Sequence, residues 1–341
     1  MSDQTRMFRE AAESPQVVGA QLMHNAPLLQ ALGARLRKDP PRAVVTCARG
    51  SSDHAATYAK YLIEAHTHVL TSSAAPSVSS IYDSQADLDG VLFIAISQSG
   101  KSPDLLSATR HAREGGALTV ALCNSAESPL MQLVDVAVPL HAGPETSVAA
   151  TKSYIASLSC IAHLLANWTE DRKLLAALPQ LPELLARAWK CDWTKAVDAL
   201  RGAVNLFVVA RGYGLGVAQE AALKLKETCG LHAEAFSSAE VKHGPMALVR
   251  TDFPVLMFTQ HDDTRDGIEK LATEFASRGA RVLLAGADAS GVISLPTVTA
   301  NPVIEPLLAI QSFYAMANAL ALARGLDPDR PPHLNKVTET L

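Results

Sequence analysis

An α/β fold of two tandem domains, each a doubly wound parallel sheet, is the architecture this sequence predicts. Three observations predict it. Short β-branched apolar runs alternate with longer helical stretches. The chain has 341 residues, which suits two ordinary domains better than one. Landmarks also recur in both halves: Ala48-Arg49-Gly50 returns as Ala210-Arg211-Gly212, and Gln98 as Gln260, both 162 residues on. Gly116-Ala117 returns as Gly279-Ala280, one residue adrift. Landmarks in register within matching elements mark a duplicated domain.

From the amino terminus, residues 1–40 read as a helical arm. A first domain over 41–170 carries strands at 43–48, 91–97, 118–122 and 134–138, with helices near 53–65 and 103–114. Residues 171–201 are helical in pattern, interrupted by Pro179 and Pro182, and read as a linker. A second domain over 202–330 has strands at 206–210, 255–259 and 281–285 and helices near 217–228 and 265–277. The tail, 331–341, is Pro-rich and extended. Ligands of open α/β sheets sit outside the carboxyl ends of strands, so the loops after Ala48, Ile96 and Ala210 are where chemistry is expected.

Hydrophobic residues make up 48% and charged residues 19%, a balance that fills two cores and excludes disorder. A net charge of −4 offers no basic footprint for nucleic acid. The opening MSDQTRMFREAAESP has no apolar run and reads as neither signal nor transit peptide. Residues 306–323 carry no charge but include Gln311, Ser312 and Asn318; a buried helix of the core or of a subunit interface is expected, not a membrane span. Five scattered cysteines without CxxC spacing point to no disulfide framework, no zinc site and a reducing cytosol. A cytoplasmic protein without metal is expected.

Ser97-Gln98-Ser99-Gly100-Lys101-Ser102 follows the apolar run VLFIAI and precedes a helix opening at Pro103. Hydroxyls and backbone N–H groups at a helix amino terminus suit a phosphate dianion. Arg49-Gly50-Ser51-Ser52 offers further hydroxyls at the same sheet edge. For either turn alone, ordinary capping explains the serines; two such turns on one sheet favour a phosphate site. No P-loop pattern is present. Gly212-Tyr213-Gly214-Leu215-Gly216 approaches a dinucleotide fingerprint, but Val217 stands in the place of the third glycine. No cofactor is expected.

Glu220, Lys224 and Glu227 fall at i, i+4 and i+7 of a strong helix former. On spacing alone they are a solvated face. His232-Ala233-Glu234-Ala235 and Glu240-Val241-Lys242-His243-Gly244-Pro245 then place ionisable groups in what reads as a long loop, usually a functional one. His243 before Gly-Pro does not suit the middle of a core helix. A lone histidine is still more often structural, and Lys336 in a polar tail reads by itself as a solvated lysine.

These motifs, with ATKSY at 150–154, EAALKLKE at 220–227, HAEAF at 232–236 and the terminal NKVT, resemble the isomerase half of glucosamine-6-phosphate synthase. That half belongs to the sugar-isomerase (SIS) domains, among which are stand-alone glucosamine-6-phosphate deaminases. The similarity covers residues 10–341. It implies two flavodoxin-like SIS domains and a phosphorylated amino sugar as ligand. Ser52, Ser97, Gln98, Ser99 and Ser102 would then surround the phosphate. By the same resemblance Glu227 moves a proton between sugar carbons 1 and 2, and His243, reaching in from a neighbouring subunit of a homodimer, opens the pyranose ring. Lys336 forms or assists an imine with the open-chain ketose, and Glu220 and Lys224 line the site. Chemistry agrees: ring opening wants a group that titrates near neutrality, and a desolvated amine is the residue type for carbonyl adducts.

The synthases begin with a glutaminase whose cysteine follows the initiator methionine, whereas Ser2 follows Met1 here and the isomerase pattern starts almost at once. The expectation is that nitrogen enters or leaves as free ammonia, and that its dilution favours release. Glucosamine 6-phosphate plus water giving fructose 6-phosphate and ammonia is therefore the leading expectation. Galactosamine-6-phosphate deaminase and fructosamine-6-phosphate deglycase are close alternatives, and a non-catalytic sugar-phosphate sensor a distant one. Lys101 stands where the synthases usually carry Glu, and the tail reads HLNKVTET where they read NLAKSVT.

Overall fold

In a computed structural model, whose described residues are 5–336, the strands form two all-parallel sheets of the same order. The first runs β2(Thr71–Ser73)-β1(Ala43–Cys47)-β3(Val91–Ser97)-β4(Leu118–Cys123)-β5(Val136–Pro139). The second runs β10(Ile293–Leu295)-β9(Arg281–Ala285)-β8(Pro254–Phe258)-β6(Asn205–Ala210)-β7(His232–Ser237). Numbered within its own half, each is a 2-1-3-4-5 sheet, with strand order reversing between the first and third strands. That reversal is the switch point at which open α/β sheets bind ligands. All seven residues of β3 and all five of β8 are buried, as strands covered on both faces must be.

Two compact units result, and neither is one stretch of chain. The first comprises 16–145, 153–179 and 335–336; the second comprises 5–15, 146–152 and 180–334. In the first, Phe93, Ala95, Leu105, Ala112, Leu130 and Met131 share a core. Helix α2(Ser14–Lys38) is pinned there by Gln21, which donates to the Leu140 and Ala156 carbonyls, and by Asn25, which donates to that of Pro139. Between the strands lie α3(Ser51–Thr67), α4(Pro76–Ser80), α5(Pro103–Glu114) and α6(Pro129–Leu133), and α7(Lys152–Thr169) follows β5.

In the second unit Phe207, Val255, Met257, Leu271, Phe275 and Leu284 form the core. The uncharged stretch becomes α13(Glu305–Ala323), which packs against α1(Arg6–Ala12), α9(Leu181–Ala188), α10(Thr194–Leu200) and α11(Leu215–Cys229). It is long and apolar enough to cross a membrane, yet it is a core helix, mostly buried within the protein. Arg324 ends it by donating to the Cys229, Arg201 and Ala203 carbonyls. Residues 171–201 fold as α8(Arg172–Ala177), a 3-10 turn over Leu178–Gln180 containing Pro179, and then α9 and α10.

Three expectations need correction. The strand expected at 134–138 starts at Val136, because the Asp135 carboxylate turns back to accept from the Thr119 N–H and hydroxyl and pairing begins only at Val120↔Val136. The long loop expected from 232 onward opens instead with strand β7, paired along its whole length with β6. Its His-Ala-Glu-Ala-Phe alternation buries Ala233 and exposes His232 and Glu234, the period of an edge strand. Edge strands β2 and β10 were not foreseen. The NKVT motif runs past Lys336 and lies partly outside the described residues.

Candidate active site

The first sheet builds its switch point from two turns. After β1, Gly50 takes the left-handed region (φ +55°) and caps α3, whose first turn carries Ser51 and Ser52. After β3, the Ser97–Ser102 turn is fixed almost entirely by backbone groups. Asn124 N–H donates to the Ser97 carbonyl and Ser125 N–H to that of Gln98, both at 3.2 Å, and Leu130 N–H donates to Gly100 at 3.3 Å. The Ser97 hydroxyl accepts from Gly100 N–H at 2.9 Å. Gly100 has φ +64°, and a Cβ there would collide with the Ser128 side chain and lie 2.8 Å from Cys123 Sγ. Only glycine fits.

Ser102 is the N-cap residue of α5 but makes no capping bond with its own hydroxyl, and Pro103 supplies the first helical position without needing a donor partner. Gln98, Ser99 and Ser102 are half-buried, and Lys101 is exposed. An ion pair ties the two turns together: Arg49 Nη2 lies 2.8 Å from Asp104, whose side chain is fully buried in the first turn of α5. Sequence reasoning quoted Arg49 only as a landmark and missed Asp104. Cys47 beneath them is no nucleophile, since burial pushes its thiol up to about 12.

In the second unit, α11 carries Glu220, Lys224 and Glu227 on one face, and that face is not solvated as spacing alone suggested. Glu220 and Lys224 are buried, and Glu227 keeps 18% of its side chain exposed. Lys224 Nζ donates to Glu227 and lies 3.4 Å from Glu220, which also accepts from the Tyr314 hydroxyl at 3.3 Å. Burial alone would push the Lys224 ammonium down; the two carboxylates outweigh it and its pKa is raised. Lys224 is thus a fixed cation, and Glu227 is a carboxylate held by one edge and open at the other. Gly230, left-handed at φ +59°, stops the helix just beyond.

His243 follows β7 on a loop of two short 3-10 turns, Glu240–Lys242 and Pro245–Leu248. Its side chain is exposed and makes no hydrogen bond among the described residues, and Leu248 nearby in the chain is 60% exposed. Lys336 belongs to the first unit and is no solvated tail lysine: Nζ lies 3.3 Å from the buried carboxylate of Glu145. Sequence reasoning missed Glu145. A lone acid between Pro144 and Thr146 gives no sign that distant contacts will bury it. Among the described residues no three His, Cys, Asp or Glu side chains gather as a metal site.

Within the first unit, then, the structure joins the turn after β1 to the start of α5 through Arg49–Asp104, and Lys336 to Glu145. Within the second it unites Glu220, Lys224 and Glu227 but leaves His243 apart on its loop.

The SIS domain family matches residues 39–166 and 199–322. A glutamine–fructose-6-phosphate aminotransferase (isomerizing) of Thermotoga maritima is 33% identical over 97% of this chain and 58% of its own. The chain spans about half the length of the curated relatives it matches. Among solved structures, a Silicibacter pomeroyi protein classed among the phosphosugar isomerases is 45% identical, with a TM-score of 0.92 over 95% of this chain and all of the other. The C-terminal domain of a Francisella tularensis glucosamine-fructose-6-phosphate aminotransferase is 25% identical, with a TM-score of 0.87 over 96% of this chain and 98% of the other.

Proposed function

The chain belongs to the SIS domain family, and from that premise we propose that it is an amino-sugar phosphate deaminase, converting glucosamine 6-phosphate and water to fructose 6-phosphate and ammonia. The observation that carries the reading is the Glu220–Lys224–Glu227 array. A buried ammonium orients one partly open carboxylate, which is what moving a proton between adjacent carbons requires. Relatives named as isomerizing aminotransferases and a structure classed with the phosphosugar isomerases support the same chemistry.

In this reading the phosphate is held by the hydroxyls of Ser52, Ser97, Ser99 and Ser102 and the amide of Gln98, at the amino terminus of α5. His243 opens the ring; its exposed position suits a residue that finds its place against a second copy in a homodimer. Glu227 takes the proton from carbon 2 and returns it to carbon 1, passing through an enolamine to the 2-imine, which water hydrolyses. Lys336 serves the carbonyl carbon as an amine. Hydrolysis of the 2-imine puts oxygen on carbon 2 and releases the nitrogen as ammonia, and where ammonia is dilute the equilibrium runs towards release. Such a reaction, with its buried free thiols, suits the cytosol. Exposed Lys101 favours one second reading, a fructosamine 6-phosphate whose nitrogen bears an anionic substituent.

Purified protein supplied with glucosamine 6-phosphate should release ammonia and fructose 6-phosphate in equal amounts. Tight sugar-phosphate binding without turnover of any amino-sugar phosphate would replace the enzyme with a sensor.

A further inference from the structure

Glu145 is the last residue of its stretch of the first unit, and its side chain is fully buried. One carboxylate oxygen accepts from Ser153 N–H at 3.1 Å, in the first turn of α7. The other accepts from the Ser153 hydroxyl at 2.5 Å and from Lys336 Nζ at 3.3 Å. A helix cap explains the bonds to Ser153 but not the ammonium. Lys336 lies 191 residues away in sequence, on a tail whose last described residue it is. Its own side chain is 24% exposed, so the lysine is not sealed away as the acid it meets is.

Resting on the lysine role proposed above, we propose that Glu145 is the positioning residue of the tail lysine: it seats Lys336 and takes its surplus proton when the amine attacks a sugar carbonyl. The step balances. The ammonium gives one proton to Glu145, and the freed lone pair adds to the carbonyl carbon. The carbonyl oxygen leaves as water with the two remaining amine hydrogens, and a C=N bond replaces C=O. Ser153 holds the carboxylate in line by two hydrogen bonds throughout.

Two measurements on the full chain test this. The first is trace acetylation of Lys336 without sugar, read by mass spectrometry. Replacing the carboxylate with an amide in Glu145→Gln should raise labelling about tenfold, the worth of one charge-assisted bond. Glu145→Asp, which keeps the charge, should fall between, and Ser153→Ala should stay within about twofold of the parent. Unchanged labelling in both Glu145 variants would overturn the seating.

The second is borohydride trapping with fructose 6-phosphate. The parent should yield a reduced adduct on Lys336, and Glu145→Gln about tenfold less at neutral pH, with recovery in alkaline solution. Equal trapping in parent and variant at neutral pH would overturn the proton transfer. A parent that forms no adduct refutes the lysine's role and the proton transfer with it, while the seating contact is still decided by acetylation. Lys336→Arg should form no adduct in any outcome.

Discussion

The turn after β3 and the turn after β8 are the same piece of a duplicated fold, and they differ in what fills them. With an offset of 162 residues, Gln98, Gly100, Lys101 and Ser102 correspond to Gln260, Asp262, Asp263 and Thr264. The backbone agrees in part: Gly50 and Gly212 turn at φ +55° and +58°, and Ser102 and Thr264 both stand at the N-cap of the next helix, but Ser102 is extended there and Thr264 helical. In the second half the anion is internal. The Asp262 carboxylate accepts from Gln260 Nε2 at 2.8 Å, from Thr264 N–H at 2.9 Å and from the Thr264 hydroxyl at 2.5 Å. In the first half a glycine stands there, packed close against Ser128 and Cys123, and the neighbouring charge is Lys101 instead of Asp263. The two copies of the turn therefore differ in charge: the second holds its own carboxylate, and the first carries Lys101 and no acid between Ser97 and Ser102.

The sharpest way to break this division of labour is to disturb the buried charges of the second half. Lys224→Met strands Glu220 in the core and should cost about 3–5 kcal/mol in chemical denaturation. Because the Lys224 pKa is raised above its ordinary 10.5, its stabilisation is complete below that value and is lost as pH climbs through the higher folded value. The stability gap between parent and variant should therefore be flat from pH 7 to pH 9 and narrow only in stronger alkali. A gap that closes by pH 9 would mean that the ammonium is not held as described.

In the first half the leading effect falls on the backbone. Gly100→Ala forces a Cβ into a left-handed turn against Ser128 and should cost about 2–4 kcal/mol, read by the same denaturation curves. The first half's hydroxyls come next. Ser99→Ala with Ser102→Ala should raise KM for the phosphorylated sugar about 10- to 100-fold with little change in kcat, as expected for losing charge-assisted bonds to the phosphate. An equal loss with unphosphorylated glucosamine would remove the cradle argument. The smallest effect sharpens the contrast: Asp262→Ala should cost only about 1 kcal/mol, the worth of a local turn and cap, and should leave KM unchanged.

Much of the fold could be read from residues because the central strands are buried on both faces and so appear as unbroken apolar runs, as in VLFIAIS. Edge strands β2 and β10 have three residues each, too few to show a period, and β7 hides its alternation under ionisable side chains. The serine turn and the Glu220–Lys224–Glu227 face were legible because local spacing defines them. Burial of that face was not, since Tyr314 and the rest of α13 supply it from far along the chain. Asp104 and Glu145 failed for the same reason: an acid's sequence neighbours do not say whether an arginine or lysine will meet it after folding.

The central claim is that Glu227 carries the proton between carbons 1 and 2, and hydrogen exchange at carbon 2 of glucosamine 6-phosphate in deuterated water tests it most directly. The account predicts deuterium incorporation by the parent protein, about 1,000-fold slower incorporation by Glu227→Gln, and sugar-phosphate affinity within a few-fold of the parent. Incorporation by Glu227→Gln at the parent's rate would contradict it.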